Sequence, residues 1–444
     1  MIPPSSRRPT ADEAAPREEL LRAAAYLSRV AEPATLPLWM LVREVGYVEA
    51  AARVRAGEVS SEVASCTEAR RRSADPDADL DAAARQGIRL IVAESADWPH
   101  FAFAPLEAAG RRRAEQWMRG QRRRPDTGEV IPPLALWVRG PADLSAVGAR
   151  SVAVVGSRAA TAYGEQVAAD LAYGLARHGV VVVSGGAYGI DAAAHRGALA
   201  AEGVSVLVSA GGLDRPYPAG NNTLYQRCAE RGLLVSERPP GSAPHRQRFL
   251  TRNRLIAAFG GVTLVVEAAR RSGALNSARY ARELGRPVLA VPGPVTSAMS
   301  VGCHDLIRRD DDPARLVTSI GEVLEYCGST SGGLTDPDGR GLADEDDGPA
   351  GDRAPAAAGK PSSDAGHTSA GSRRAAFQQA YDRLDRLAQS VLDGFPARQA
   401  VTESDLSRLS GQPIQVVIAA LPALQAGGLV TASREGYRLA GRGP

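Results

Sequence analysis

Three short stretches hold the residues whose types and spacing can do chemistry, and the first and third point to an anion. In "SVAVVGSRAAT", Ser151–Thr161, a β-branched apolar run breaks at Gly156-Ser157-Arg158, and a helical pattern restarts after Thr161. A strand, a tight glycine turn and a helix start offer backbone N–H groups and the positive end of a helix dipole to an anion. Arg158 stands where the GxGxxG dinucleotide fingerprint needs its second glycine. The acidic ribose ligand due about 20 residues on is missing, because the next strand ends in Ser184-Gly185-Gly186. Nicotinamide chemistry is therefore disfavoured. A planar guanidinium beside helix-start amides suits a single phosphate; the plainer alternative for Arg158 is a structural ion pair.

The second stretch, "SGGAYGIDAAAH", places Asp191 and His195 at i, i+4 on one helix face. An acid/base or metal pair is the sharper reading. No His/Cys cluster completes a metal site, so the expectation is no metal, with Asp191 capping the helix and His195 hydrogen-bonded nearby. Glu237 and Glu267 each close a strand; each is either a general base or an acceptor for N–H groups of the following glycine loop. The third stretch, "HRQRFLTRNRLIAAFG", carries Arg246, Arg248, Arg252 and Arg254 around Phe249 with no acid. Arginines interleaved with an aromatic fit phosphate contact plus base stacking along a single strand, with Tyr188 and Tyr217 as further rings. A solvated basic turn is the bland alternative.

Composition removes whole classes of function. Lys360 is the only lysine and lies in a low-complexity stretch, which disfavours both a phosphate-loop NTPase and Schiff-base catalysis. Four scattered cysteines without a CxxC pair suit a reducing cytoplasm. No apolar run approaches the roughly 18 residues of a membrane helix, and the N-terminus lacks a signal-peptide core. The net charge of +3 hides an acidic segment at 328–372, with eight Asp/Glu against three Lys/Arg. The remainder is basic, as a polyanion-binding body requires.

The elements that must position these residues alternate from 151 to 325. Continuous Val/Leu strands at helix-separated spacing predict a doubly wound, mainly parallel sheet covered on both faces. The glycines and polar residues fall at its carboxyl edge, where ligands of such sheets bind. Before it, "GIRLIVA" and "PLALWVR" read as strands, separated by "GRRRAEQWMRGQRRR" with seven arginines against one glutamate. That insertion is either a solvated helix or a DNA contact. Residues 1–80 predict a small all-α (SAM-like) module, 85–325 the α/β domain, 326–373 a disordered linker and 374–444 a helix-helix-helix-hairpin in winged-helix order. Thr402 or Ser404 caps its second helix. The candidate recognition helix, "PIQVVIAALPALQAGGL", has no Arg or Lys, which favours a protein-contact or packing role over groove binding.

Taken in order, "GSRxxT", "SGGAxGIDAAAH", "GGLDxxYPxxN", "LVSExPPG", "FxxRNRLIA", "VVEAxxxSGALNSA", "VPGP" and "SxGxxxLI" resemble the DNA-processing protein A (DprA/Smf) family. The resemblance spans about 150–308, and "GIRLI…WP" plus "LWVRG" extend it to about 87. It implies an extended Rossmann-like domain that binds single-stranded DNA without catalysis or cofactor. It further implies a homodimer that loads a RecA-type recombinase in natural transformation and recombination. By position it implies Arg158 on a DNA phosphate with Arg252, Asn253 and Arg254 beside it. Gly156, Ser157, Ser184, Gly185, Gly186, Asn221, Phe249, Ser272, Gly273 and Asn276 complete the site. Ala219 departs from the basic residue many relatives carry after "YP", and His304 from a small polar one. The competing reading is a Rossmann-like nucleotide phosphoribohydrolase, whose "PGGxGTxxE" signature the corresponding strand lacks. A third is a scaffold acting through 328–444.

Overall fold

The computed structural model describes residues 11–121, 130–148, 150–270, 272–327, 400–410, 413–433 and 436–440, with Leu384, Ala388, Val391, Leu392 and Phe395. Nine strands form one sheet: β1 (Arg89–Ile91), β2 (Leu136–Arg139), β3 (Ser151–Val155), β4 (Val181–Ser184), β5 (Ser205–Ser209), β6 (Leu233–Ser236), β7 (Val262–Val265), β8 (Val288–Ala290) and β9 (Arg315–Leu316). Their order is β1-β2-β6-β5-β4-β3-β7-β8-β9. From β6 to β9 every pairing is parallel, whereas β2 runs antiparallel to both β1 and β6. The two strands expected ahead of residue 150 therefore form an antiparallel margin.

Both faces of the parallel strands are apolar because both are covered. Ala153, Val155, Val183, Val206, Val208 and Val265 pack under α5 (His100–Met118), α9 (Arg246–Phe259), α10 (Ala274–Glu283) and α11 (Val301–Ile307). The alternate residues Val152, Val154, Val182, Val262 and Leu264 pack under α6 (Ala162–Arg177), α7 (Ile190–Ala200) and α12 (Ile320–Leu324), as the two-residue period of a strand demands. Helix α8 (Asn222–Arg231) closes the β5/β6 side through Leu224, Tyr225 and Cys228.

Helices α1 (Ala11–Val30), α2 (Leu36–Ala56), α3 (Ser61–Thr67) and α4 (Pro76–Ala84) form the expected N-terminal helical part. A kink at Gly46, whose left-handed φ of 79° is not helical, divides α2 into two helical halves. Val92 and Ala135 belong to the same apolar cluster as α1 and α2, so this part sits on the antiparallel margin. Arg238, just after β6, donates to Ser28 O at 2.7 Å and Ala31 O at 2.6 Å, satisfying carbonyls that a helix end leaves open. Glu32 accepts from Arg248 Nε at 2.8 Å and Nη2 at 2.7 Å, and pairs with Arg70 at 3.0 Å. The helical part is thus tied to the first turns of α9.

Near the C-terminus, α13 (Glu403–Ser410) and α14 (Ile414–Ala426) precede a hairpin of β10 (Val430–Ser433) and β11 (Gly436–Leu439), and Val401 bridges to Tyr437. Thr402 caps α13 by accepting from Asp405 N at 3.2 Å. Helix α14 exposes Ile414 and Ile418. Beyond Cys327 the expected linker lies outside the described residues, and the first helix of the C-terminal segment is described at five positions only.

Candidate nucleic-acid interface

The chain lays down β3, β4, β5 and β6 outward, then returns to place β7 on the other side of β3. That reversal opens a crevice at the carboxyl ends of β3 and β7, the usual ligand position in such sheets. Its floor is sewn together by backbone. Ser157 N donates to Glu267 O at 2.7 Å, and Ser157 O accepts from Ile190 N at 3.2 Å. A Cβ at Gly156 would lie 2.4 Å from Ile190 Cγ1, so only glycine admits this crossing. Gly189 has a left-handed φ of 71°, and a Cβ there would lie 2.3 Å from Ser157 O.

The start of α6 already holds an anion, and it belongs to the protein. Glu267, 1% exposed, accepts from Thr161 N at 2.9 Å and from Thr161 Oγ1 at 2.7 Å. Thr161 Oγ1 in turn accepts from Gly164 N at 3.2 Å. The sequence reading put an external phosphate at this helix start; a built-in carboxylate takes the N-cap N–H of Thr161, because a buried charge needs donors and a helix start supplies them. Grip on a ligand therefore falls to side chains at the rim.

Arg158 is exposed at that rim, with its guanidinium carbon 4.8 Å from the centre of the Phe249 ring. Phe249 is half-buried, its ring centre 5.4 Å from that of Tyr217. Arg252 is only 5% exposed and lies behind them. It donates to Gly185 O at 2.9 Å, to Val208 O, and through Nε to Asn253 Oδ1 at 3.3 Å. Burial pulls its pKa down to about 10, against the pull of Asp191, so it remains a cation at neutral pH. Asp191, also buried, accepts from Ala187 N at 3.4 Å. Burial raises its pKa while Arg252 and Arg158 oppose the rise.

The other expected site residues divide between crevice and scaffold. Asn253 donates to Gly273 O at 3.3 Å, and Asn276 to Leu250 O at 3.0 Å. These bonds tie α9 to α10 beneath exposed Gly273. Asn221 spans Gly186 O at 3.0 Å and Ala187 O at 3.2 Å, Ser184 Oγ donates to Val154 O at 2.6 Å, and Ser272 Oγ accepts from Ala274 N at 3.3 Å. Their polar groups shape the loops. Arg254 needs correction: it is 0% exposed and ion-paired with buried Glu237 at 2.5 Å, so it lies in the interior, away from the crevice surface.

Asp191 and His195 do not act as a pair. His195 is fully buried, with Nδ1 2.7 Å from Ser205 Oγ. Burial, reinforced by Arg252 and Arg196, pulls its pKa down to about 3 and keeps it neutral. Among the described residues no group of three or more His, Cys, Asp or Glu could hold a metal ion. His304, unexplained by sequence, places Nε2 3.0 Å from Gly293 O, tying α11 to the Pro292–Pro294 loop. Two rim arginines escaped the sequence reading. Arg215 follows β5 and Arg270 follows β7, with side chains 57% and 76% exposed. Their only signal was position a few residues beyond a strand end.

Comparison with known proteins adds a family context. The profile of the family described as DNA recombination-mediator protein A matches residues 127–328. The chain is 54% identical over 310 residues to the putative DNA processing protein DprA of Mycobacterium tuberculosis H37Rv, a match covering 69% of this chain and 75% of that one. It is 44% identical over 194 residues to the protein Smf of Escherichia coli K12, covering 44% of this chain and 50% of that one. The X-ray structure of DNA processing protein A from Streptococcus pneumoniae superposes with a TM-score of 0.53 at 28% identity, covering 73% of this chain and 100% of that one.

Proposed function

Because the chain belongs to the DNA-processing protein A (DprA/Smf) family, we propose that it is a DNA-processing protein whose carboxyl-edge crevice binds single-stranded DNA without cleaving it. The observation that carries this reading is Arg158, an exposed guanidinium resting on an aromatic ring at the sheet's switch point. Buried Arg252 adds a second positive charge behind it. An exposed arginine beside aromatic side chains suits a phosphate–base chain. A groove lined by one sign of charge also raises the rate of encounter.

Holding without cleaving is supported by the engagement of the nearby carboxylates. Glu267 is bonded to Thr161, Glu237 to Arg254, and Asp191 to Ala187 N beside Arg252. A nucleotide hydrolase needs a carboxylate facing its substrate. In this reading the protein works as a homodimer in the cytoplasm, needs no cofactor, and passes the strand to a RecA-type recombinase. The family's description as a recombination mediator supports that transfer. No helix among the described residues is long and apolar enough to cross a membrane.

The test is fluorescence anisotropy of a labelled oligothymidine across a salt series, for wild type and Arg158→Ala, with duplex of equal length as control. The expected result is tight single-strand binding whose logarithm falls with log salt at about −0.7 per phosphate contacted, with a loss of about tenfold or more in the variant. Salt-insensitive binding, or release of free base from a nucleoside monophosphate by the pure protein, overturns it.

A further inference from the structure

Phe249 is the ring a single strand would be expected to stack on, yet its surroundings are already committed. The guanidinium carbon of Arg158 lies 4.8 Å from its centre and that of Arg252 5.8 Å, and Tyr217 leans against it with ring centres 5.4 Å apart at 44°. Tyr217 is itself held, since its carbonyl accepts from Tyr225 Oη at 2.8 Å. Arg158, by contrast, is exposed on a short loop and among the described residues makes no hydrogen bond or ion pair. The Phe249 ring is the contact its guanidinium makes, with buried Asp191 near enough to attract it. Guanidinium over an aromatic face is a favourable electrostatic contact, and fixing four rotatable bonds in advance removes an ordering cost that binding otherwise bears.

We infer that Phe249 is a positioning residue: its ring holds the Arg158 guanidinium ready for a DNA phosphate, and it is not the platform on which a base stacks. This rests on the single-strand reading of the crevice. A ring left open for a base is Tyr188, which follows β4 and is 49% exposed. The division of labour follows from geometry: a ring that supports cations contributes to every phosphate contact, whatever base is attached.

The experiment measures affinity of the full chain for oligothymidine and for an oligomer of equal length made entirely of abasic nucleotides. The proteins are wild type, Arg158→Ala, Phe249→Leu, Phe249→Tyr, Tyr188→Ala and the double variant Arg158→Ala/Phe249→Leu. Phe249→Leu is expected to weaken both probes by the same factor, about three- to tenfold, and to lower the salt slope by about 0.7, as Arg158→Ala does. The double variant binds no more weakly than Arg158→Ala alone, since the two residues act as one unit. Phe249→Tyr retains the ring and restores binding; Tyr188→Ala weakens oligothymidine only.

Loss confined to oligothymidine in Phe249→Leu, or losses that multiply in the double variant, overturn the inference while leaving single-strand binding intact. Failure of the wild type to bind either oligomer overturns both. Melting curves of Phe249→Leu and Phe249→Tyr accompany the titrations, and a binding loss that tracks unfolding in Leu while Tyr folds and fails to restore affinity also counts against it.

Discussion

Glu267 meets both donors of Thr161, Oε2 taking the backbone N–H at 2.9 Å and Oε1 the hydroxyl at 2.7 Å. One side chain from the end of β7 thus caps the helix that follows β3, and the two strands flanking the crevice are locked at their carboxyl ends. The strand-turn-helix signature is real, but its anion is internal.

Glu267→Ala should therefore act on stability. It leaves a part-buried N–H and hydroxyl without their acceptor and opens a cavity where the buried carboxylate stood, at a cost of about 2–4 kcal/mol. Glu267→Gln is expected to cost less, because one amide oxygen still accepts. Denaturant midpoints read the difference, and a midpoint unchanged in Glu267→Ala would falsify the capping role.

Gly189 couples backbone conformation to the binding loop. Its φ is 71°, and a Cβ would press to 2.3 Å from Ser157 O and 2.8 Å from Arg158 O. Gly189→Ala should lose about 2 kcal/mol or more from strain and steric displacement. The variant should also displace Arg158, so single-strand affinity falls together with the melting temperature. Gly273→Ala is the contrast in stability: its Cβ would meet nothing within 4 Å, and the melting temperature should stay near wild type.

Rim arginines make a separate, additive prediction. Arg215 and Arg270 follow different strands and are far from enclosed. Arg270 pairs with Asp305 at 3.5 Å, a surface contact worth little. Replacing either by alanine should leave the melting temperature unchanged, weaken oligothymidine binding about two- to fivefold and reduce the salt slope by up to about 0.7. Unaltered slopes in both variants would confine the DNA path to Arg158.

The doubly wound sheet was legible because buried parallel strands are continuous Val/Leu runs, and "SVAVVG" and "VVVVSGG" are that pattern. The carboxyl-edge glycines marked the crevice for the same reason: only a residue without Cβ lets Gly156 cross Ile190. What stayed hidden was the partner of each polar group. Glu267 lies 106 residues from the threonine it caps, and nothing local distinguishes an acceptor of N–H groups from a general base. Asn221, Asn253 and Asn276 look like ligand groups in a motif, yet each spends its amide on backbone carbonyls. Strand direction at the margin was hidden too, since β1 and β2 obey no crossover rule.

His195 predicts an acid limit. Its pKa is pulled down to about 3 by burial, whereas in the unfolded chain it titrates near 6.5. Between those values the unfolded state binds more protons, so stability rises with pH there. The contribution is complete above about pH 6.5 and is lost at up to about 1.4 kcal/mol per unit as pH falls toward 3. His195→Gln keeps a partner for Ser205 and cannot titrate. Its unfolding free energy should fall less steeply than wild type between pH 6 and 4; equal slopes would mean that other groups set the acid limit.

Arg252 and Arg254 separate by function although one residue lies between them. Positions i and i+2 of a helix point about 200° apart, so a basic triplet cannot place both arginines in one crevice. Arg252 faces Gly185 and Val208 at the carboxyl edge, while Arg254 faces Glu237 inside. Removing one partner of that buried pair strands the other charge, so Arg254→Met and Glu237→Gln should each cost about 3–5 kcal/mol. Replacing both with apolar residues, as Arg254→Met/Glu237→Leu, should recover most of that loss. The folded molecules of the double variant should bind oligothymidine with wild-type affinity, since neither side chain reaches the surface. Arg252→Met behaves oppositely: it removes the charge behind Arg158 and unties three acceptors, so affinity falls along with stability. A double variant at Arg254 and Glu237 that folds yet binds DNA as weakly as Arg158→Ala would return Arg254 to the interface.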